Sequence, residues 1–199
     1  MDRPTSSSTR LDDDLVDDEG VAPAPRRSIR SAVEWVVIVV AALAAALLIK
    51  TFLLQAFYIP SDSMNPTLVQ HDRVLVNKLS YHFHEVHRGD IVVFKRPKGE
   101  NDPQIKDLIK RVVALPGETV EGRDGEVLID GRILHEPYVP RGVQTADFPA
   151  QKIPKDRYWV MGDNRGNSKD SRVFGPIPKS LIVGRAFIRV WPISSIDLL

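Results

Sequence analysis

The sequence predicts a mainly β protein, with a single apolar helix near the N-terminus followed by a β-sandwich or barrel-like domain that carries a small cap insertion. Three observations predict it. Trp35 to Ile49 is an unbroken apolar run. From residue 56 onward the chain changes to short runs of Val, Ile and Leu broken by Gly and Pro, as strands between turns are. Helical periodicity is nearly absent after the first run, and only Asn65–Gln70 and Pro178–Ile182 suggest short helices.

Residues 1–30 hold Ser, Thr, Asp, Pro and Arg with few large apolar side chains, too few to offset the entropy of ordering, so a disordered tail is expected. The apolar run alone is short for a hydrocarbon core, which needs ~20 helical residues. Extended by Ala32 and Val33 in front and by Phe52 to Leu54 behind, it makes one transmembrane helix over 32–54, within an anchor unit 31–55. Arg26, Arg27 and Arg30 precede the span and Lys50 alone follows closely, so the positive-inside rule places the N-terminus in the cytoplasm and residues 56–199 outside. A cleaved secretory signal peptide is the competing reading. The long polar leader, with acidic clusters Asp12-Asp13-Asp14 and Asp17-Asp18-Glu19, is unlike the short basic start of such a peptide.

Strands are expected at 72–77, 89–95 and 108–115, the last closed by Pro116-Gly117. Glu126–Ile129 and Arg132–Leu134 flank Asp130-Gly131, a hairpin signal because Asp-Gly suits the positive φ angles of a two-residue turn. Two more strands fall at 157–161 and 184–191. Residues 97–107 and 140–156, rich in Pro, Lys and Asp, are expected as exposed loops, and the cap insertion spans about 118–157.

Charge is nearly balanced, 27 basic against 26 acidic side chains, with no basic stripe, so no nucleic acid partner is expected. The chain has no cysteine, which excludes a disulfide framework, a thiol nucleophile and cysteine-ligated zinc.

Three segments carry chemistry. Pro60-Ser61-Asp62-Ser63-Met64-Asn65-Pro66 puts serine hydroxyls in a proline-bracketed turn just beyond the span, although Ser and Pro also favour turns for backbone reasons. Ile109-Lys110-Arg111-Val112-Val113 sets a lysine among apolar neighbours, and residues 162–172 are dense in polar groups. A serine hydroxyl is a weak nucleophile until a base removes its proton. The five histidines, at 71, 82, 84, 87 and 135, raise a Ser-His-Asp triad as one option. His71 follows the Ser63 turn too closely to fold back. His82, His84 and His87 lack the i, i+4 helical spacing of metalloproteases and read as surface residues, so no metal or other cofactor is expected. Lys110 is the better base. An ordinary lysine, pKa ~10.4, is protonated at neutral pH, but apolar burial lowers that value. Strand alternation puts Lys110 on one face with Leu108 and Val112, a desolvating setting; a solvated strand lysine stays open from position alone.

Four motifs in order, Ser-Met-x-Pro-Thr-Leu at 63–68, Gly-Asp-Ile-Val-Val-Phe at 89–94, Lys-Arg-Val-Val-x-Leu-Pro-Gly at 110–117 and Gly-Asp-Asn-Arg-x-Asn-Ser-x-Asp-Ser-Arg at 162–172, carry a family likeness. Over about residues 30–192 the chain resembles the bacterial type I signal peptidases, membrane-bound Ser-Lys endoproteases that remove signal peptides from exported proteins. The resemblance implies Ser63 as nucleophile and Lys110 as general base. It implies Ser61 as an oxyanion-hole hydroxyl beside the Ser63 N–H, and Ser168 as the group orienting the lysine amine. Asp170 with Arg172, and Arg111 and Asp163, match structural supports. Phe57, Ile59, Leu68 and Ile109 match the walls of shallow pockets that accept small side chains, typically Ala, one and three residues before the cut. Implied partners are secretory preproteins, the lipid bilayer and a secretion translocase nearby, at the cytoplasmic membrane with the catalytic domain outside. Gly166 departs from the Asp common in the family, one anchor helix replaces two, and the cap is short. Two rivals have different architectures. Self-cleaving repressors share Ser-Lys chemistry but carry a DNA-binding helix pair in place of a spanning helix. A tethered peptide-binding β domain without catalysis has no use for an intact Ser63 and Lys110.

Overall fold

The computed structural model describes residues 29–48, 53–98, 100 and 106–199. The chain divides into two compact units, residues 1–42 and 43–199, with the boundary inside helix α1 (Ile29–Leu48). Side chains along α1, among them Trp35, Val37, Val40, Leu43 and Leu47, are apolar and exposed. Among the described residues no helix is long and apolar enough to cross a membrane. Residues 49–52 of the expected span and 1–28 of the expected 1–30 tail lie outside the described residues, while Ile29 and Arg30, expected in that tail, already belong to α1.

Leu54, expected as the last helical residue, instead opens strand β1 (Leu54–Tyr58), where it pairs with Asn77. The remaining strands are β2 (Arg73–Asn77), β3 (Ile91–Lys95), β4 (Asp107–Ala114), β5 (Thr119–Arg123), β6 (Glu126–Ile129), β7 (Arg132–Ile133), β8 (Phe148–Lys152), β9 (Arg157–Met161), β10 (Ile177–Pro178), β11 (Ile182–Trp191) and β12 (Asp197–Leu198). Short helices α2 (Ser80–Phe83) and α3 (Ser171–Phe174) interrupt them.

The protein is mainly β and forms two sheets with antiparallel pairing. The larger has the order β1-β2-β11-β3-β4-β9-β10, with β12 added to β11; the smaller has the order β7-β6-β5-β8 and occupies the segment expected as the cap. β3 explains why a near-continuous apolar run was needed. Ile91 and Val93 enter one core cluster with Ile59, Met64, Leu68 and Ile109, while Val92 and Phe94 enter a second with Val112 and Val160. A strand buried on both faces cannot alternate apolar with polar residues. A third cluster, including Val113, Val120, Val127, Ile153 and Trp159, lies where β4 and β9 meet the smaller sheet.

The Asp-Gly hairpin forms between β6 and β7, with Asp130 and Gly131 at φ 47° and 78°. Asp124 and Gly125, at φ 54° and 85°, repeat the device between β5 and β6. Three local expectations are corrected. Asn65–Gln70 is a run of turns and not a helix: Leu68 N bonds Met64 O, but Val69 N is taken by the Asp72 carboxylate, so the turn does not propagate. The Pro178–Ile182 helix contracts to a 3₁₀ turn at Lys179–Leu181, because Ile182 already belongs to β11. Within the loop expected over 140–156, Phe148–Lys152 forms the edge strand β8, drawn into the smaller sheet by pairing with β5.

Candidate active site

The turn that carries Ser63 leaves β1 and is closed at its base by backbone bonds from Ile59 N to Asp72 O and from His71 N to Ile59 O, both 2.9 Å. Asp72 accepts from Val69 N at 2.9 Å, and Gln70 Nε2 donates to Pro60 O at 3.0 Å. Met64 and Leu68 are fully buried beside Ile59 and Ile109, so the apolar residues of the turn plug it into the core. From the far side, Asn164 N donates to Ser63 O and Asn164 Nδ2 to Asp62 O, each at 3.1 Å. Two motifs remote in sequence thus fix the backbone of one serine.

Lys110 lies on β4 opposite Val92 of β3, and β9 registers with β4 from Arg111 onward. Its Nζ is 2.7 Å from Ser63 Oγ and 2.9 Å from Ile109 O. Lys110 is 4% exposed and Ser63 8%, so the pair meets in a largely water-free setting. Burial pulls the Lys110 ammonium down to about 8, although Asp170, Asp163 and Glu100 push it the other way. Ser61 Oγ lies 3.4 Å from Ser63 Oγ.

Ser168 is placed differently from expectation. Its Oγ is buried and has no hydrogen-bond partner, so the expected bond to the lysine amine is not formed. It sits against Gly162: a Cβ there would meet Ser168 Oγ and Ser63 O at 2.3 Å each. Only glycine allows the chain to come that close.

The four charges around the site are paired. Arg111 donates to both Asp163 oxygens, at 2.9 and 2.6 Å, and to Gly89 O at 2.8 Å, while Thr67 Oγ1 donates to Asp163 at 2.5 Å. Arg172 makes two bonds of 2.8 Å to Asp170, which also accepts from Gly162 N at 3.1 Å and caps α3. Such two-pronged guanidinium–carboxylate pairs fix geometry as well as charge.

Beside Ser63 opens a cavity of about 430 Å³ with mainly apolar walls, lined by Phe57, Ile59 and Ile109 together with Tyr58, Val93 and Leu108, and closed at one end by Ser61, Ser63 and Lys110. Leu68 is not among its walls; it is buried behind Ile59 and Ile109. Sequence reasoning missed Val93, whose side chain was hidden in a plain strand pattern. It also missed Glu136, Tyr138 and Thr145, which reach Arg165 and Arg111 from the segment after β7. Pairs between distant carboxylates and arginines leave no local signature. The Glu-Pro-Tyr run at 136–138, an acid and an aromatic inside a polar loop, was the available hint.

Known proteins resemble the chain over most of its length. The profile of the family described as signal peptidase, peptidase S26, matches residues 32–191. "Signal peptidase I" of Leptolyngbya laminosa is 45% identical over 152 residues, 75% of this chain and 74% of its own length. "Probable signal peptidase I-1" of a Synechocystis strain is 46% identical over 176 residues, 86% of this chain and 87% of its own. A solved signal peptidase I from Enterococcus faecalis is 34% identical and covers 51% of this chain and 97% of its own, at a TM-score of 0.43, too loose a superposition to argue from. The sequence relatives suffice: the chain belongs to the signal peptidase family, peptidase S26, whose members are serine-type peptidases.

Proposed function

We propose that the chain removes signal peptides from exported preproteins with Ser63 as nucleophile and Lys110 as general base. The observation that carries this reading is the 2.7 Å approach of a buried lysine amine to a serine hydroxyl beside an apolar cavity. Neutral Lys110 takes the Ser63 proton as Oγ attacks the scissile carbonyl. The oxyanion is met by the Ser63 N–H and the Ser61 hydroxyl, and such donors each contribute a few kcal/mol to barrier lowering. Lys110 then gives its proton to the departing amine, leaving an acyl-enzyme. Water, deprotonated by the same amine, attacks the ester, and the proton returns to Ser63. One lysine serves both halves because its lowered pKa leaves both protonation states accessible near neutral pH.

Phe57, Ile59 and Ile109 select small side chains before the cut by excluding bulk, and Leu68 backs that wall. Arg111, Asp163, Asp170 and Arg172 hold the scaffold, and the role of Ser168 in this reading is to orient the lysine amine from its buried place against Gly162.

The same reading makes 31–55 a single membrane anchor with 1–30 cytoplasmic and 56–199 catalytic and outside, near the secretion translocase. It is supported by the run of exposed apolar side chains along α1 between Trp35 and Leu47. Anchoring would bring the site to the surface from which a signal peptide emerges.

Cleavage of a preprotein carrying Ala one and three residues before its junction, by purified full-length protein and by Ser63→Ala, tests the reading. Cleavage after the second Ala by the wild type alone is expected. Equal cleavage by both would remove Ser63 from the mechanism. Protease protection of a tag before residue 30 in sealed, right-side-out vesicles tests the orientation.

A further inference from the structure

Arg165 lies in the same loop as Asp163 and is 1% exposed in its side chain, yet no step of the chemistry above uses it. Four hydrogen bonds hold its guanidinium. Nε donates to Gly162 O at 3.1 Å, Nη1 to Thr145 Oγ1 at 3.0 Å, and Nη1 and Nη2 grip the two oxygens of Glu136 at 2.7 and 2.6 Å. Glu136, 9% exposed, belongs to the segment after β7, on the smaller sheet. It also accepts from Tyr138 Oη at 2.7 Å. The Tyr138 ring in turn lies 4.0 Å from the Arg111 guanidinium, within reach of a cation–π contact. Burial, reinforced by Glu136, raises the Tyr138 hydroxyl well above its ordinary value, so it remains a donor.

We propose that Glu136, carried by the smaller sheet, is a positioning residue that holds Ser63 in register through Arg165. The path is short and made of bonds already described. Glu136 fixes the Arg165 guanidinium, Arg165 Nε fixes Gly162 O, and the next residues of that loop bring Asn164 N onto Ser63 O. Gly162 itself stands against the Ser63 carbonyl with no room for a Cβ. A loop this tightly apposed transmits its own position to the serine backbone. The cap is thus coupled to the reacting atoms without touching substrate, and its role rests on the Ser63–Lys110 reading given above.

Glu136→Gln keeps the size of the side chain but removes its charge and turns an amide N–H toward the guanidinium. Displacement of a catalytic group by a fraction of an ångström to 1 Å lowers the rate on the order of 10- to 100-fold. The expected result is a fall of that size in kcat with KM within about two-fold. Acylation of Ser63 by a small activated ester should slow in parallel, because the probe needs the serine but no extended substrate contacts. Arg165→Lys should act the same way. The double variant should be little worse than the poorer single one, as two residues on one path are not additive.

Unchanged kcat in a folded Glu136→Gln variant, or a rise in KM alone, would overturn the assignment; so would full additivity with Arg165→Lys. If Glu136→Gln does not fold, Tyr138→Phe decides. It removes one bond to Glu136 and keeps the ring over Arg111, and a two- to ten-fold loss of kcat is expected from one hydrogen bond. No loss overturns the path. Wild type and Ser63→Ala run in parallel separate this outcome from a failure of the peptidase reading, which would appear as equal turnover by those two proteins.

Discussion

Lys110 and Arg111 are neighbours on β4 with opposite fates: Arg111 grips both oxygens of Asp163, whereas Lys110 has, among the described residues, the Ser63 hydroxyl and one backbone carbonyl. In the proposed mechanism Arg111 stays charged and Lys110 loses its proton, and of the two only Arg111 has the buried Asp163 carboxylate as a direct partner among the bonds described. A carboxylate on Lys110 would hold the ammonium form and silence the base. The separation of the two roles by one strand position is the central electrostatic choice in the site.

The first prediction follows from that choice. Only the neutral amine accepts the serine proton, so kcat/KM should rise with pH up to about 8 and level off above it. Stability carries the same signature. The folded pKa, about 8, lies below the unfolded value, so between the two the unfolded chain binds more protons and stability rises with pH. Below pH 8 both states are protonated and the full cost of a buried ammonium remains. Lys110→Met should therefore raise stability at pH 7, by on the order of 3 kcal/mol at most, with the gain shrinking as pH climbs from 8 toward 10. Urea unfolding across that range measures it, and a pH-independent difference would place the lowered pKa in doubt.

Gly162→Ala should abolish activity. Its Cβ would meet a backbone oxygen, Ser63 O, at 2.3 Å, and a backbone has no rotamer by which to retreat. A loss of more than about 100-fold in kcat is expected, since the displaced atom is in the nucleophile's own residue. The same change at Gly166, where nothing lies within 4 Å of a built Cβ, should leave the rate within about three-fold. Parallel kinetics on the two variants separate crowding at Ser63 from any general intolerance of the loop.

Much of this was legible in the chain and some was not, for identifiable reasons. The Ser63 turn, the Lys110 strand and the Asp130-Gly131 hairpin have local signatures: prolines, an apolar frame, a residue pair that accepts positive φ. β8 has none, since Phe-Pro-Ala-Gln-Lys lacks the β-branched residues of a buried strand and takes its form from pairing with β5 on an exposed edge. Leu54 was assigned to a helix on hydropathy, yet the same apolar character serves a strand, and pairing to Asn77 decides it. The Glu136–Arg165 pair joins residues 29 apart through side chains alone, which no window of sequence displays.

Removal of one member of the Arg111–Asp163 pair should destabilise strongly. Asp163 is fully buried, and Asp163→Ala strands a guanidinium together with the Thr67 hydroxyl that it had accepted from. A loss of about 3–5 kcal/mol is expected, whereas replacing both with Met and Leu should cost clearly less, because no charge remains uncompensated. Chemical denaturation of the single and double variants checks it. If the double variant is as damaged as the single, packing and not charge governs this pair.

The cavity wall makes the last prediction. Ile109 presents an apolar side chain at the mouth of Lys110's pocket and is only 8% exposed, so it cannot withdraw to admit bulk. Ile109→Ala should enlarge the cavity by several methyl groups and admit Val or Leu where the proposed reading has Ala. Gains of one methylene in an apolar pocket are worth about 1–3 kcal/mol, so relative kcat/KM for a Val-containing junction should rise on the order of 10- to 100-fold. Phe57→Ala should relax a different position, because Phe57 sits on β1 and Ile109 on β4, with β2, β11 and β3 between them in the sheet. Mass mapping of cleavage sites on preproteins varied one position at a time would assign each wall to its substrate residue. If both variants relaxed the same position, the two residues would face one substrate side chain within the shared cavity, and the proposed selection at a second position would need another wall.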